Sequence, residues 1–153
     1  MEAKFNPMAS DRVLRLVVAA GTTLAIHAIA LGGPEGGRVV HGQAAIAQAG
    51  PVTTIRAGDG SILTFDRFDI AAHETVRFLQ PSSQSRVLNR ITGSDPSIIS
   101  GSLLANGQVY IVNPAGIYFT GSAVVDVGAL YAAAGNMTNE DFLAGINNFS
   151  LSG

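Results

Sequence analysis

Past residue 50 the chain is cut by turn-forming residues into apolar runs only four to eight residues long, and that spacing limits what it can build. The runs are "VTTIRA" (52–57), "SILTF" (61–65), "TVRFLQ" (75–80), "RVLNRI" (86–91), "QVYIV" (108–112), "GIYF" (116–119) and "AVVDVGAL" (123–130). Between them stand Ala57-Gly58-Asp59-Gly60, Gln80-Pro81-Ser82-Ser83, Gly93-Ser94-Asp95-Pro96, Asn106-Gly107, Asn113-Pro114-Ala115-Gly116 and Thr120-Gly121. Gly and Asn accept positive φ cheaply, and Pro presets a turn corner. Runs this short cannot carry helices, whereas strands of this length suit them, so the chain reads as all-β. One segment departs. "GNMTNEDFLAG" (135–145) offers Thr138 or Asn139 as an N-cap, Glu140 and Asp141 in a first turn and Gly145 as a stop, which predicts a helix of at most two turns.

The runs alternate in part, as at Val76 and Phe78, Val87, Asn89 and Ile91, or Val109 and Ile111. Similar pieces return about every twenty residues: Ile99 and Leu103 are followed by Ile117 and Phe119, and Val109 and Ile111 by Val125 and Val127. Coils of that length point to a parallel β-helix. Alternation with one solvated face equally describes an antiparallel sandwich. Periodicity alone leaves both open.

The front of the chain is different. A polar stretch with Lys4 and Arg12 precedes "VLRLVVAAGTTLAIHAIA" (13–30), which is apolar apart from Arg15, Thr22, Thr23 and His27. Ala28-Ile29-Ala30 closes it with small residues. This succession predicts a signal peptide over 1–30, cleaved after Ala30, and so passage through the periplasm to the cell surface or medium. The run is too short to span a bilayer comfortably. A second Ala-x-Ala, Ala45-Ile46-Ala47, lies too far from the apolar stretch to compete.

Charge excludes several functions. Only 13% of the 153 residues are charged. From Leu31 onward six arginines face nine acids, a net charge of -3. Nucleic acid binding needs clustered cations, and an anionic membrane would repel such a surface. Cys is absent, so there are no disulfides, thiolate zinc sites or cysteine nucleophiles. His41 and His73 have no partner spaced for a metal and read as solvated. Asp66, Asp69 and Glu74 form the densest acidic group; with Arg67 and Arg77 interleaved, it reads as a solvated edge rather than a calcium or sugar-cleaving site. Arg90 is expected to form a surface pair with Asp95. No metal or cofactor is expected.

Residues 87–145, "VLNRITGSDPSIISGSLLANGQVYIVNPAGIYFTGSAVVDVGALYAAAGNMTNEDFLAG", closely resemble the haemagglutination-activity, or two-partner secretion, domain of filamentous haemagglutinin-like exoproteins. The resemblance rests on Asn89-Arg90-Ile91, Gly93, Pro96-Ser97, Ile99, Gly101, Asn106-Gly107, Asn113-Pro114, Gly116-Ile117 and Asp141-Phe142-Leu143-Ala144-Gly145, in the family's order. "GGRVVHGQAAI" (36–46) resembles its opening strand, and 63–81 the strands that follow. Two departures stand out. The family's Asn-Pro-Asn-Gly-Ile reads Asn113-Pro114-Ala115-Gly116-Ile117 here. Its Asn-Pro-Asn-Leu is missing, with Gln80-Pro81-Ser82-Ser83-Gln84-Ser85 in its place.

The resemblance implies a right-handed parallel β-helix, a single-stranded solenoid over residues 31–153 with an N-terminal β cap and short extra-helical elements. It implies a secretion and adhesin module without catalysis. The partner would be an outer-membrane, Omp85-like transporter of the two-partner type, with any host or neighbouring-cell surface reached through downstream repeats. Asn113 to Ile117 would serve as turn and transporter signal, and Asn89, Arg90, Gly93, Pro96, Gly101, Asn106 and Gly107 as family signature. The alternative for such a fold is a polysaccharide lyase or glycosidase. The front is expected to be capped by residues such as Val39, Val40 and Ile46. At the back, "FSLSG" is expected to begin a coil that is cut short, leaving Phe149 and Leu151 facing inward with nothing beyond them.

Overall fold

The computed structural model describes residues 33–152, and the leader expected over 1–30 lies outside them. Strands β3 (Val52–Ala57), β5 (Thr75–Leu79), β8 (Ser102–Ala105) and β11 (Val124–Asp126) stack in parallel as one face. Strands β4 (Ser61–Phe65), β6 (Arg86–Ile91), β9 (Gln108–Val112) and β12 (Ala129–Ala133) stack as a second. The third is narrower, formed by Ile70 bridged to Ile99 and by β7 (Ser97–Ile99) paired with β10 (Ile117–Phe119). The chain visits the three faces in turn and repeats, which is the parallel β-helix the resemblance implies. A sandwich is excluded, because all the stacking pairs are parallel.

Each coil sends alternate side chains inward, where they stack on the same position of the next coil. Ile55 lies under Phe78, Val76 under Leu103, Val87 under Val109, and Phe65 under Ile91. All eight are at most 2% exposed. Such columns bury apolar surface above and below, each buried side chain contributing on the order of 1.5–3 kcal/mol. This explains why strands of three to six residues suffice: one to three inward residues per strand fill the interior.

The expected repeat is right in kind but shifted in detail. Ile99 does stack on Phe119, and Leu103 stacks on Val125. Val109 and Ile111, however, stack on Leu130 and Ala132 rather than on Val125 and Val127. The run 123–130 is two strands, because the chain turns a corner at Gly128 beneath Gly107, whose carbonyl accepts the Gly128 N–H at 2.8 Å.

The front is closed by antiparallel strands. β1 (Arg38–His41) pairs with β4, and β2 (Ala44–Ala49) pairs with β3. The cap is therefore made by backbone pairing rather than by an apolar plug: Val39, Val40 and Ile46 stay 44%, 51% and 41% exposed.

At the back the expectation fails in an informative way. After β12 the chain leaves the coil and folds over the outside of the second face. It forms β13 (Gly135–Asn136), the short helix α1 (Asn139–Leu143) and β14 (Ser150–Leu151), which returns antiparallel to β13. "FSLSG" is thus half of a hairpin, not the start of a coil. Phe149 packs half-buried on the outer core, and Leu151 is 73% exposed. The helix is capped as expected: the Thr138 side chain accepts from the Asp141 N–H at 3.0 Å, and Gly145 takes a φ of 76°.

The outer core explains this cover. Ile62, Leu88, Tyr110 and Tyr131 form one column on the outward side of the second face. Ile62, Leu88 and Tyr110 would be bare apolar surface, but Met137, Phe142 and Phe149 lie over them. Phe142 is fully buried, edge-on to Tyr110 at 5.2 Å.

Candidate recognition site

Asn113, where β9 ends, is fully buried. Its Nδ2 donates to the Asp95 carbonyl and to Ser97 Oγ, both at 3.0 Å, and its Oδ1 accepts from the Ala115 N–H at 2.9 Å. The backbone closes the same turn, with the Gly116 N–H donating to the Asn113 carbonyl at 2.9 Å. The Gly116 carbonyl then accepts from the Ser97 N–H in the coil before, at 2.9 Å. One amide therefore ties a corner to itself and to its neighbour. The parts left on the surface are Pro114 and Ala115; Gly116 is buried and Ile117 half-buried.

The departure at Ala115 is now explicable. The bond that shapes the turn uses the Ala115 backbone, and the side chain is exposed, so the missing amide costs the turn little. Gly116 has a φ of 114°, where L side chains are strained. Gly116→Val should destabilise by about 1–3 kcal/mol, and Ala115→Asn should stay within about 0.5 kcal/mol. Thermal melts of the two variants check this, and equal melting points would refute the role given to the turn.

The signature residues fall at three further corners. Asn106 is a surface residue whose side-chain amide stands in for a strand partner: its Oδ1 accepts from the Gln80 N–H at 2.8 Å and its Nδ2 donates to the Gln80 carbonyl at 2.7 Å. Gln80 completes the corner. Its Nε2 donates to the carbonyls of Ser85 and Gln108, and its Oε1 accepts from the Gly107 N–H. The loop that replaces the family's second motif is thus closed by its own hydrogen bonds. Gly93 and Gly101 lie where coils touch. A Cβ on Gly93 would meet the Asp66 carbonyl oxygen at 2.1 Å, and one on Gly101 the Ala71 carbonyl oxygen at 2.1 Å. Pro96 is an exposed turn residue before β7.

Asn89 and Arg90 point to opposite sides of β6. Asn89 is fully buried inside the coil and donates to the Tyr110 carbonyl at 3.0 Å, while its Oδ1 has no partner. Arg90 does not pair with Asp95. It reaches the cover instead, donating to Asn136 Oδ1 at 2.9 Å and to the Met137 carbonyl at 2.7 Å. Burial there draws its pKa down from the ordinary arginine value, with Glu140 opposing the shift. Asp95 is held by Arg67, which also bonds Asp69.

Arg86, which sequence reasoning passed over, is the second clamp on the cover. It donates to the Phe142 carbonyl at 2.7 Å, and its guanidinium lies 4.5 Å from the centroid of the Phe142 ring. Nothing in the local sequence marks it, since its partner is far along the chain.

The acidic group is not one solvated edge. Asp66 is exposed and pairs with Arg38. Asp69 accepts from Arg67 and from the Ile98 N–H. Glu74 is buried, 3% exposed, with Oε1 accepting from the Ala71 N–H. Each carboxylate is committed to a different structural contact. Among the described residues no group of three or more His, Asp or Glu is placed to hold a metal.

A sequence profile of the TPS secretion domain matches residues 32–152, which spans all the described coils, cap and cover. The chain belongs to the TPS secretion domain family. Two curated relatives, both heme/hemopexin-binding proteins of Haemophilus influenzae, one of them from strain Rd, are 36% and 31% identical to this TPS domain. Each match covers 78% of the chain but 13% of the relative, so the chain spans about an eighth of their length. The crystal structure of the HMW1 secretion domain from Haemophilus influenzae is similar with a TM-score of 0.72 and 36% identity, over 73% of this chain and 30% of that one. The family match and the fold agree that this TPS domain is a secretion module.

Proposed function

We propose that this TPS domain is exported by the leader over 1–30, is recognised in the periplasm by an Omp85-like outer-membrane transporter, and starts the folding of a β-helix at the cell surface. The observation that carries the reading is the TPS match over residues 32–152, coincident with a capped solenoid. The interior columns are mainly apolar, and the corners at Gly93, Gly101, Asn106 and Asn113 are occupied by structural hydrogen bonds or backbone contacts, which supports a folding and transport role over catalysis. The relatives' names describe proteins of which the matched stretch is 13%, and what is shared with them is the secretion domain. The proposal for this chain is therefore transport, not heme or hemopexin binding. Adhesion to a host or neighbouring cell belongs to the same reading only through sequence beyond this domain.

The buried Asn113 favours a division of labour at residues 113–117. Its amide maintains the turn, and of residues 113–117 the folded domain leaves Pro114 and Ala115 exposed and Ile117 partly so. Expression in a Gram-negative host with and without a two-partner transporter from the source genome tests the proposal. With the transporter, the medium should contain protein whose first residue is Leu31; without it, the same species should stay in the periplasm. Material beginning at Met1, or export independent of the transporter, would overturn it.

A further inference from the structure

The two ends of the solenoid expose different strand edges. At the far end β10, β11 and β12 face the direction in which each earlier coil is followed by another. At the front, β2 is the outermost strand of its five-stranded sheet and, among the described residues, pairs only with β3. Its sequence is "AAIAQA", six residues without charge or proline, all exposed beyond Ala44. Edge strands are normally blunted by charge, proline, bulges or shortness. β1, at the edge of the neighbouring face, has such protection: it is four residues long, carries Arg38 paired with Asp66, and shifts register between Val39 and His41. β2 has none.

The backbone groups that β2 presents can be named. The Gly58 N–H donates to the Gln43 carbonyl at 2.9 Å. These two residues continue the antiparallel register in which Ala44 faces Ala57. Hydrogen-bonded pairs alternate along such a ladder. Residues 45, 47 and 49 therefore bond to β3, and the N–H and C=O of Ala44, Ile46 and Gln48 turn outward.

We propose that this edge pairs with β2 of a second copy of the chain, antiparallel, about a two-fold axis at Ile46. In that register Ala44 faces Gln48 and Ile46 faces Ile46, so every outward backbone group of the three meets its complement. On the other side of the sheet Ala45 faces Ala47. An isologous contact needs a self-complementary patch. This strand supplies one: no charge meets its like, and the nearest, Arg56, sits opposite Ala45 on β3, one strand behind the edge. The pairing also covers Ile46, which the cap leaves 41% exposed, and fuses two five-stranded faces into one sheet.

Sedimentation velocity and native mass spectrometry on the protein recovered from secreting cells test this. The expected species is a dimer in concentration-dependent exchange with monomer. The double variant Ala45→Lys/Ala47→Lys places lysines opposite one another across the axis and should raise the dissociation constant about tenfold or more. Val124→Lys, on β11 at the far end, should leave the dimer intact. Hydrogen exchange adds a readout that needs no variant: the amides of Ala44, Ile46 and Gln48 should gain protection as concentration rises, and those of Ala45 and Ala47 should not change. A monomer at all concentrations, a dimer lost in Val124→Lys but kept in the double variant, or concentration-independent exchange at Ile46 and Gln48 would each overturn the proposal.

Discussion

Gly101→Ala should lower the melting temperature by roughly 10 °C, while Gly121→Ala should leave it almost unchanged. A methyl group on Gly101 would lie 2.1 Å from the Ala71 carbonyl oxygen and 2.3 Å from that of Glu74. Neither oxygen can retreat. The Ala71 carbonyl accepts from the Glu74 N–H at 2.8 Å, the Glu74 carbonyl accepts from the Ser102 N–H at 3.0 Å, and the Gly101 N–H itself donates to the Ile70 carbonyl at 3.0 Å. Overpacking typically costs about 1–3 kcal/mol, and backbone this firmly held places Gly101→Ala at about the upper end. At Gly121 no heavy atom lies within 4 Å of an added Cβ, so that change should stay within about 0.5 kcal/mol. Calorimetry on both variants checks the contrast. A Gly101→Ala protein that melts with the wild type would mean that the first and second coils are not in contact as described.

Phe142→Ala should release the cover while leaving the coils standing. The ring is the fully buried centre of the outer core, in contact with Tyr110 and under the Arg86 guanidinium. Truncating a buried phenylalanine costs about 3–5 kcal/mol. The rest of the cover is held by a two-residue strand pair and a few hydrogen bonds, among them Arg90 to Met137 and Tyr110 to Asn147. That is too little to replace it. Limited proteolysis should then cut between residues 137 and 149, and the tyrosine fluorescence should change as Tyr110 meets water, with the β-sheet circular dichroism retained. Unchanged proteolysis would show that the cover does not depend on this side chain.

The strands most legible in the sequence are those of five or six residues between clear turn signals, such as β3, β4, β6 and β9. Sequence reasoning missed β7 and β8 because "PSIISGSLLANG" is rich in Ser and Gly, and in a stacked coil one inward residue each, Ile99 and Leu103, is enough. The register was hidden for a related reason. Corners differ in length, so Ile70, Ile99 and Phe119 stack although they stand 29 and 20 residues apart. Asn113, Gly93 and Gly101 were legible only as a pattern. Their reasons are contacts with Ser97, Asp66 and Ala71 across coils, which no local window contains. Arg90 and Glu74 were misread because their partners are backbone groups, at Met137 and Ala71, and a reading of charges alone looks for other charges.

The position of the cover also sets an order in time. Phe142 lies 56 residues beyond Arg86. In a chain delivered from its front end, Ile62, Leu88 and Tyr110 are therefore already stacked and facing outward well before the residues that seal them arrive. For that interval the young solenoid carries an oily flank that its completed form lacks. In a chain that folds in that order, anything touching it before residue 142 arrives would meet a surface that later disappears. Closure of the flank by Phe142 would then mark the moment at which the first coils become self-sufficient.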